Sequence, residues 1–472
     1  MIVEEKFIFS PEDGGKIVKK SISYIPAIMN LYNEVLVNAR DQKIRTDMII
    51  AQKQAKGEPV VNIPVKQIKV NFNTETGEIS IRNDGDGFEV FKHDTYKDKD
   101  GKKIWSVELV TANLLTSSNY NKENEESGVV GGKNGYGAKL VNIFSKRFYI
   151  ETLDAVRKYK YKQEFNDNMT VINRPKITGC KAAAPYTLIS YILDFDRFGI
   201  KGYSEDMINL MIKRAYDIAG CTEGSLQIFV NGKNIKIENF QRYTELYSPK
   251  KPLYLKIDDK WEIIVGLSET DKFEQCSFVN GIETSRGGKH VEYIVKQITK
   301  NVADHIKKKH KTDIPEAYIK NYMDIYLNCI ITFPSFDSQM KELLITPAKK
   351  FGSCPVVCPK FCKKYADSGL ADLVMKFASF KDSTKSKATD GKKTLKIRGL
   401  PKLDDANDAG GKHSALCTLI LTEGDSAKSM AVAGLSEVGR DRYGVYPLRG
   451  KMLNVKDAPK TQILENAEIT AL

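Results

Sequence analysis

The sequence has no apolar run long enough to cross a membrane. A membrane-spanning helix needs about 20 consecutive and mostly apolar residues, whereas this chain of 472 residues is 41% hydrophobic and 28% charged without such a run. The first residues also lack the basic and then apolar layout of a signal peptide, since they read MIVEEKFIFSPEDGG. We therefore expect no membrane partner and a division into two to four domains.

Cysteine and histidine are both scarce, with eight cysteines and five histidines in the whole chain. Without a secretion signal, the cysteines are expected to be reduced intracellular thiols. Cys354, Cys358 and Cys362 recur at every fourth residue, which raises the alternative of a metal site. Zinc sites usually need four ligands in closer pairs, and no histidine lies nearby in sequence, so free thiols are favoured over a metal.

Acidic residues are outnumbered by basic ones. The chain has 60 Asp and Glu against 73 Lys and Arg, which gives a formal net charge of +13 at pH 7. A basic balance favours an anionic partner such as nucleic acid. Since many basic proteins bind no nucleic acid, this inference depends on the motifs.

The order GxxxxGK[ST] of the common phosphate-binding loop is also absent. A different glycine-rich run occupies residues 131–147 and reads GGKNGYGAKLVNIFSKR, with Lys133 and Lys139 among its four glycines. Glycine lets backbone N–H groups turn toward a ligand, and a helix that begins just after the loop adds its positive end. The run predicts a polyphosphate cradle, and the alternative is an ordinary loop.

Helical and strand patterns alternate along the chain in the manner of an α+β protein with a mixed or antiparallel sheet. A charged segment at 92–103 is expected to be an exposed insertion, and 379–396 has the composition of a linker. The predicted helices are 25–41, 205–219 and 291–308, and the predicted strands are 68–72, 79–82, 147–152, 186–195, 261–267, 276–279 and 417–421.

Glu34 and Asn38 lie four residues apart and share one face of the first predicted helix. A carboxylate can polarise a water molecule for attack on a phosphate, and an amide oxygen is a hard ligand that suits Mg²⁺. The alternative is a solvated helix face without a catalytic role.

Two further polar segments lie between this helix and the glycine run in the sequence. Asn83 lies where a strand runs into a tight Gly-x-Gly turn, so it could read the hydrogen-bonding edge of a base. Ser117, Ser118 and Asn119 offer small hydroxyls and an amide that suit ribose and phosphate oxygens. A β-turn and a helix cap are the respective alternatives.

These four segments occur in the order of the GHKL ATPase fold, and the chain resembles the eukaryotic-type DNA topoisomerase II family of type IIA enzymes. The resemblance extends from about residue 24 to residue 472. The runs that carry it are EVLVNARD, RNDGDG, LLTSSNY and GGKNGYGAKLVNIFS, followed by KRAYDIAG (213–220), SFVNGIETSRGGKHVEY (277–293), FDSQMKE (336–342), PKLDDANDAGG (401–411), LTEGDSAK (421–428) and GVYPLRGKMLNV (444–455).

The resemblance implies an α+β fold made of successive domains. A GHKL (Bergerat) ATPase sandwich is expected over 1–245, and a transducer domain of ribosomal-S5-like α/β fold over 246–378. A linker over 379–411 and the N-terminal part of an α/β TOPRIM domain over 412–472 follow.

The resemblance also implies residue roles in ATP hydrolysis. Glu34 is expected to act as general base on the hydrolytic water, Asn38 to bind Mg²⁺ and Asn83 to read adenine. The expected ribose and phosphate contacts are Ser117, Ser118, Asn119, Gly132, Lys133, Asn134, Gly135, Tyr136, Gly137, Ala138 and Lys139. Lys133 stands where the family usually has Arg, and Val130 where it usually has Thr; lysine keeps the charge but loses the planar fork.

The family's transducer carries a Gln-Thr-Lys loop that reaches the γ-phosphate of ATP. Here the loop is expected at Gln339, Met340 and Lys341, with methionine in place of threonine. Lys341 retains the charge and is expected to sense whether the terminal phosphate is present, and so to relay hydrolysis to domain motion.

DNA contacts are implied at two places. Lys307, Lys308 and Lys309 match a triple lysine in the cavity that holds the transported DNA, where phosphate contacts add affinity without sequence preference; the alternative is a solvated basic helix end. Arg449, Lys451 and Asn454 match residues near the cleaved DNA. Glu423, at a strand tip next to Asp425, is an expected Mg²⁺ ligand of the TOPRIM domain.

We therefore expect the ATPase part of an ATP-dependent type II DNA topoisomerase, with ATP, Mg²⁺, double-stranded DNA and a second copy of the chain as partners. Such an enzyme passes one duplex through a transient double-strand break in another, altering supercoiling and resolving catenanes. The nucleophilic tyrosine of the family is not found in these 472 residues, so we expect ATP hydrolysis without DNA cleavage. The N-terminal arm of the family is not found either: Met1 is an internal start of a longer protein or the arm has been lost, and both alternatives put ATP-driven dimer closure in question.

Two rival functions remain open at this stage. Another GHKL machine, such as a chaperone or a mismatch-repair ATPase, is disfavoured by the TOPRIM-like residues after 412. A non-catalytic DNA clamp subunit is disfavoured by Glu34, Asn38 and Lys341. The departures from the family suggest a divergent lineage, such as a large DNA virus of eukaryotes, and the expected location is the nucleus, or a viral factory or virion.

Overall fold

The computed structural model describes residues 1–97, 101–113, 137–181, 184–222, 224–268, 270–378 and 402–448, together with residues 466 and 469. The chain divides into two compact units. The first comprises Met1–His305 with Ile319–Ser368, and the second Ile306–Tyr318 with Gly369–Leu472. Among the described residues, no helix combines the length and the apolar character that a membrane crossing requires.

The first unit contains a nine-stranded mixed sheet. Its order is β10-β8-β7-β11-β4-β3-β12-β13, with the short β9 paired to β8. All of its pairs are antiparallel except β12 with β3. The strands are β3 (Gln67–Asn73), β4 (Glu78–Asp84), β7 (Ser145–Asp154), β8 (Tyr159–Asn166), β9 (Val171–Ile172), β10 (Lys176–Gly179), β11 (Tyr186–Leu193), β12 (Gln227–Val230) and β13 (Lys233–Ile235).

Several helices pack against this sheet or against one another beside it. The main ones are α1 (Pro26–Ala55), α2 (Ser106–Ala112), α3 (Gly137–Ile143), α4 (Glu205–Gly220) and α5 (Phe240–Thr244). Helix α1 begins with proline in its first turn, where the missing N–H removes no hydrogen bond of the helix. Ile28, Tyr32, Val35 and Leu36 recur at helical spacing and are buried in the core.

Helix α1 continues 14 residues beyond the predicted end at residue 41. Residues 42–55 read QKIRTDMIIAQKQA, in which the apolar spacing becomes irregular but most residues favour helices. The extension therefore follows from propensity rather than from a buried stripe.

Two antiparallel hairpins lie outside the large sheet: one precedes its first strand in the sequence, and the other lies between β4 and β7. Strands β1 (Ile2–Ser10) and β2 (Lys16–Tyr24) form the first. The segment at 92–103, predicted as an exposed charged insertion, forms the second with β5 (Lys92–Lys97) and β6 (Lys103–Trp105). It is mostly exposed, as predicted, but Ile104 is buried.

A second sheet of five strands lies in the same unit, in the order β14-β15-β18-β16-β17. Every residue of β15 is buried, which explains its continuous apolar run WEIIVGL apart from one glutamate. The strands are β14 (Lys250–Asp258), β15 (Trp261–Leu267), β16 (Glu274–Val279), β17 (Ile282–Glu283) and β18 (Met323–Cys329), and the nearby helices are α6 (Lys289–His310), α7 (Glu316–Asn321) and α8 (Pro359–Tyr365).

The second unit contains a small parallel pair, β19 (Thr418–Glu423) and β20 (Tyr443–Leu448). Helix α9 (Gly424–Val438) connects them and packs on them through Val432 and Leu435. This strand–helix–strand unit contains the predicted strand at 417–421. The predicted linker over 379–411 lies largely outside the described residues, and the domain boundaries stay predictions.

Candidate functional site

Two charged side chains that are distant in sequence meet beside α1. Lys341 Nζ lies 3.9 Å from Glu34 Oε1, and their side chains are 17% and 14% exposed. Partial burial strengthens the attraction between opposite charges because less water screens it. The structure therefore brings together the carboxylate and the ammonium group that the sequence singled out as general base and phosphate sensor.

Lys341 is held in an unusual backbone conformation. Its φ is +58°, in the left-handed region that residues other than glycine adopt rarely. The backbone N–H of Lys341 donates to Ser338 O at 3.2 Å, which closes a tight turn. Such local strain persists only where the surroundings fix the backbone, and it recurs at functional loops.

The residue after Lys341 anchors this loop to the second sheet. The hydroxyl of Ser285 donates to Glu342 Oε1 at 3.0 Å, and the backbone N–H of Arg286 donates to Glu342 O at 3.0 Å. Arg286 also pairs with Asp337 at 2.8 Å. Both sides of Lys341 are therefore fastened to the segment that follows β17.

Gly137, the first residue of α3, faces Glu34 at very short range. A Cβ atom built on Gly137 would lie 2.2 Å from Glu34 Oε2. Only glycine allows the backbone to approach the carboxylate so closely. The last glycine of the predicted phosphate loop is thus placed against the predicted general base.

Lys139 follows on α3 and is 1% exposed. Burial lowers the pKa of Lys139 to about 8, because desolvation penalises the charged ammonium. An anion placed beside it would favour the charged form again. This environment suits a lysine that binds phosphate.

Asn83 lies near the end of β4 and is 5% exposed, with its Nδ2 donating to Asp84 O at 2.9 Å. Thr187 on β11 is opposite Asn83, and Thr152 on β7 is opposite Thr187. The two threonine hydroxyls are 3.1 Å apart and both side chains are buried. Sequence reasoning missed both threonines, since only strand pairing brings Thr187 next to Asn83 and Thr152 next to Thr187.

Glycine is required in the turn after Asn83 for steric reasons. A Cβ on Gly85 would lie 2.7 Å from Val65 N, and one on Gly87 would lie 2.4 Å from Thr152 Oγ1. The φ of Gly85 is +79°. The Gly-x-Gly turn is therefore packed tightly between the preceding loop and β7.

Asn38 lies one turn after Glu34 on α1, and its side chain is exposed. Across the ranges that the structure describes, no group of three or more Cys, His, Asp and Glu side chains is arranged to bind a metal ion. Cys354 and Cys358 are exposed and Cys362 is buried, all as free thiols. The roles of Asn38 and Glu423 in binding Mg²⁺ stay predictions.

Other predicted site residues have less structural context. Gln339 is exposed and Met340 is half-buried in the same loop as Lys341, and Ala138 lies between Gly137 and Lys139 in α3. The remaining predicted contacts lie outside the described residues: Ser117, Ser118, Asn119, Gly132, Lys133, Asn134, Gly135, Tyr136, Arg449, Lys451 and Asn454.

The predicted DNA and metal residues of the second unit lie at exposed positions. Lys307, Lys308 and Lys309 end α6, and Lys307 Nζ is 2.9 Å from Asp313 Oδ2. Glu423 is the last residue of β19 and is exposed, as the predicted strand-tip position requires. The neighbouring Asp425 pairs with Lys402 at 2.8 Å.

A group of four charged side chains, which the sequence analysis did not recognise, lies between α4 and β17; three of them are buried and the side chain of Glu283 is 23% exposed. Lys213, Arg214 and Asp217 belong to α4, and Glu283 belongs to β17. Burial raises the pKa of Glu283, but the charges of Lys213 and Arg214 outweigh burial and hold it below its ordinary value. Burial raises the pKa of Asp217 above its ordinary value, although the charges of Lys213 and Arg214 and the hydroxyl of Tyr243 oppose that shift.

Comparison with known proteins identifies the family. The family model of DNA gyrase B matches residues 226–394. A crystal structure of the ATPase region of Saccharomyces cerevisiae topoisomerase II is 36% identical, with a TM-score of 0.70 over 80% of this chain and 92% of that one. The chain belongs to the eukaryotic-type DNA topoisomerase II family.

Further relatives agree with this assignment. The ATPase and transducer domains of DNA topoisomerase II from Balamuthia mandrillaris are 34% identical, with a TM-score of 0.71 over 81% of this chain and 92% of that one. DNA topoisomerase 2 top-2 of Caenorhabditis elegans is 42% identical over 99% of this chain and 30% of its own length. DNA topoisomerase 2 of Saccharomyces cerevisiae is 40% identical over 98% of this chain and 32% of its own length.

These likenesses confirm the predicted fold class for the ATPase and transducer parts. The TOPRIM assignment of residues 412–472 stays a prediction. The chain spans about a third of the length of the curated relatives it matches.

Proposed function

We propose that this chain is the ATP-hydrolysing part of a type II DNA topoisomerase. ATP binding and hydrolysis would drive passage of one DNA duplex through a transient double-strand break in another. Family membership supports the overall activity. The observation that carries the ATPase assignment is the meeting of Glu34 with Lys341, 3.9 Å apart and largely shielded from water.

The geometry suggests how the two groups divide the work. The terminal phosphate of ATP carries more negative charge than a carboxylate, so it would attract the ammonium of Lys341 away from Glu34. Glu34 would then be free to accept a proton from the attacking water. Lys341 would meanwhile offset negative charge on the phosphate oxygens as the leaving group departs.

The residues around Glu34 fit a magnesium ion bound mainly through phosphate and water. Mg²⁺ keeps several waters and typically takes one or two protein ligands. Asn38 offers an exposed amide oxygen one turn from Glu34. When bound, the ion would neutralise phosphate charge.

The proposed partners are double-stranded DNA and a second copy of the chain. Lys307, Lys308 and Lys309 form an exposed basic end of α6 that suits DNA phosphates. Dimer formation is proposed because the reaction needs a clamp that opens and closes around one duplex.

ATP turnover by Glu34→Ala tests the proposal. We expect kcat to fall by about 10²- to 10⁴-fold, the usual contribution of a positioned general base. Glu164→Ala, which removes a half-exposed carboxylate paired with Arg147 at 3.0 Å, is the control that should retain turnover. If wild type and Glu34→Ala hydrolyse ATP equally slowly, the chain is a non-catalytic clamp and the proposal fails.

A further inference from the structure

The group of four charged side chains on α4 and β17 connects at one end to α1, directly beside the proposed general base. Arg214 Nε donates to Asn33 Oδ1 at 3.1 Å, and Asn33 is the residue before Glu34. Arg214 also donates through NH1 to Asp217 Oδ2 at 2.6 Å. The Nε contact therefore ties α1 to α4, while the NH1 contact within α4 holds the rigid guanidinium in place.

The chain of contacts continues from α4 to the second sheet. Lys213 Nζ lies 3.1 Å from Asp217 Oδ2 and 2.5 Å from Glu283 Oε1. Lys213 and Asp217 are both 0% exposed. Glu283 is thus the one member of the group that β17 supplies, and it balances the charge that α4 alone leaves uncompensated.

The other end of the chain of contacts reaches the Lys341 loop. Ser285 lies two residues after Glu283, and its hydroxyl donates to Glu342 Oε1 at 3.0 Å. Glu342 directly follows Lys341. A continuous series of side-chain contacts and two peptide units therefore joins the residue before Glu34 to the residue after Lys341.

Stability alone is a weak explanation for this arrangement. Burying ion pairs costs desolvation energy, and well-packed apolar residues often stabilise a core equally well or better. Buried ionic groups do, however, impose a specific geometry on the elements that carry them. The geometry that this group imposes is the placement of α1 against the segment after β17.

We propose that Asn33, Arg214, Glu283 and Ser285 are positioning residues that fix Glu34 relative to Lys341. This inference deepens the proposed ATPase function and rests on it. Small displacements of catalytic groups have large effects on rate. The contacts therefore influence catalysis through placement rather than by touching ATP.

A double-mutant cycle on ATP hydrolysis tests the proposal. Asn33→Ala and Ser285→Ala remove the two ends of the series without removing a buried charge. We expect each to lower kcat about fivefold, with KM for ATP changed less than about twofold and little change in thermal midpoint. Because both act through one series, the double variant should also lose about fivefold rather than about 25-fold.

Two controls separate positioning from general loosening. Ser285→Thr keeps the hydroxyl and should restore kcat. Ser353→Ala removes another half-buried serine hydroxyl, which accepts from Trp261 Nε1 at 2.8 Å in the same unit, and should leave kcat unchanged.

The possible outcomes distinguish the two proposals. If the double variant loses about 25-fold in kcat, the two substitutions act independently and the positioning role is overturned. Wild-type kcat in Ser285→Ala overturns it as well, and in both cases the ATPase function stands. An equal loss in Ser353→Ala also overturns it, because the effect is then not specific to the series. A wild-type chain without ATP turnover overturns the proposed function, and the positioning role falls with it.

Discussion

At the scale of single residues, the site is built from side chains whose neighbours limit what they can do. Gly137 leaves space for the carboxylate of Glu34, and Lys341 reaches that carboxylate from a left-handed backbone position. Lys139 is buried at the start of α3, where burial lowers the pKa of its ammonium group. The missing side chain of Gly137 and the lowered pKa of Lys139 can each be removed by one substitution.

Gly137→Ala should impair hydrolysis without unfolding the protein. The new methyl group would meet Glu34 Oε2 at 2.2 Å, so the carboxylate must move. We expect kcat to fall by about 10²-fold, as small misplacements of catalytic groups commonly cause. ATPase assays with Gly202→Ala as control check this, because a Cβ on Gly202 meets nothing within 4 Å. Equal rates for the two variants would contradict the prediction.

ATP binding should take up protons at alkaline pH through Lys139. The pKa of Lys139 is lowered to about 8, so the free protein loses this charge as pH rises above 8. Bound phosphate favours the charged form and raises the pKa. Affinity should therefore decline between about pH 8 and 10, with proton uptake on binding over that range.

Calorimetry at pH 9 in two buffers of different ionisation enthalpy measures this uptake. Lys139→Arg keeps the charge at every accessible pH and should abolish it. Uptake that is the same in wild type and Lys139→Arg would assign the proton to another group.

At the scale of elements, α4 links the two sheets of the first unit. Its residues supply three of the four charges in the group that Glu283 completes, and Tyr243 of α5 adds a hydrogen bond to Asp217 Oδ1 at 2.6 Å. The contact between α4, α5 and β17 therefore contains hydroxyl and charged groups as well as apolar side chains. Removing one charge leaves the others uncompensated.

Asp217→Ala should destabilise the first unit strongly. Lys213 and Arg214 would lose their shared carboxylate while remaining buried, a change that typically costs about 3–5 kcal/mol. Urea unfolding followed by tryptophan fluorescence measures the loss. Glu164→Ala breaks a partly exposed pair with Arg147 and should cost no more than about 1 kcal/mol. Similar losses in both variants would contradict a special role for the buried group.

Much of the element order follows from local sequence patterns. The predicted strand at 261–267 coincides with β15, and the predicted helix at 205–219 with α4 except for one residue, because apolar periodicity and flanking turns define them. The end of α1 was predicted too early, since helix propensity continues where the apolar stripe fades. The proposed site residues Glu34, Asn83 and Lys341 were also named from the sequence, and their roles stay predictions.

Contacts between distant segments were not predictable in this way. Lys213 and Glu283 are 70 residues apart, and nothing in their local sequence indicates that they pair. Thr152 and Thr187 have the character of ordinary strand residues until strand pairing places Thr187 beside Asn83 and Thr152 beside Thr187. Tertiary packing, rather than periodicity, determines such neighbours.

At the scale of the whole molecule, the net charge of +13 favours interaction with DNA. The exposed lysines that end α6 are one concentrated part of that charge. The hairpin formed by β5 and β6 is another exposed segment that carries several lysines. Comparing the two separates a specific DNA contact from general electrostatic attraction.

Replacing Lys307, Lys308 and Lys309 by alanine should weaken duplex DNA binding and its dependence on salt. Each lost phosphate contact lowers the slope of log K against log salt by about 0.9. Titrations of labelled duplex at several salt concentrations measure this slope. Replacing Lys92, Lys97 and Lys103, which are equally exposed, removes the same charge elsewhere. Equal effects of the two triple variants would rule out a dedicated site on α6.

The pairing of β3 with β12 affects how the chain folds as it is synthesised. These parallel strands match Gln67 with Gln227, so the large sheet cannot be completed until about 160 more residues have followed β3 out of the ribosome. At about 5–20 residues per second, that takes on the order of 10 to 30 seconds. During this interval the edge of β3 is unpaired and open to other chains. The same connection that completes the large sheet therefore leaves one strand edge exposed while the intervening residues are synthesised.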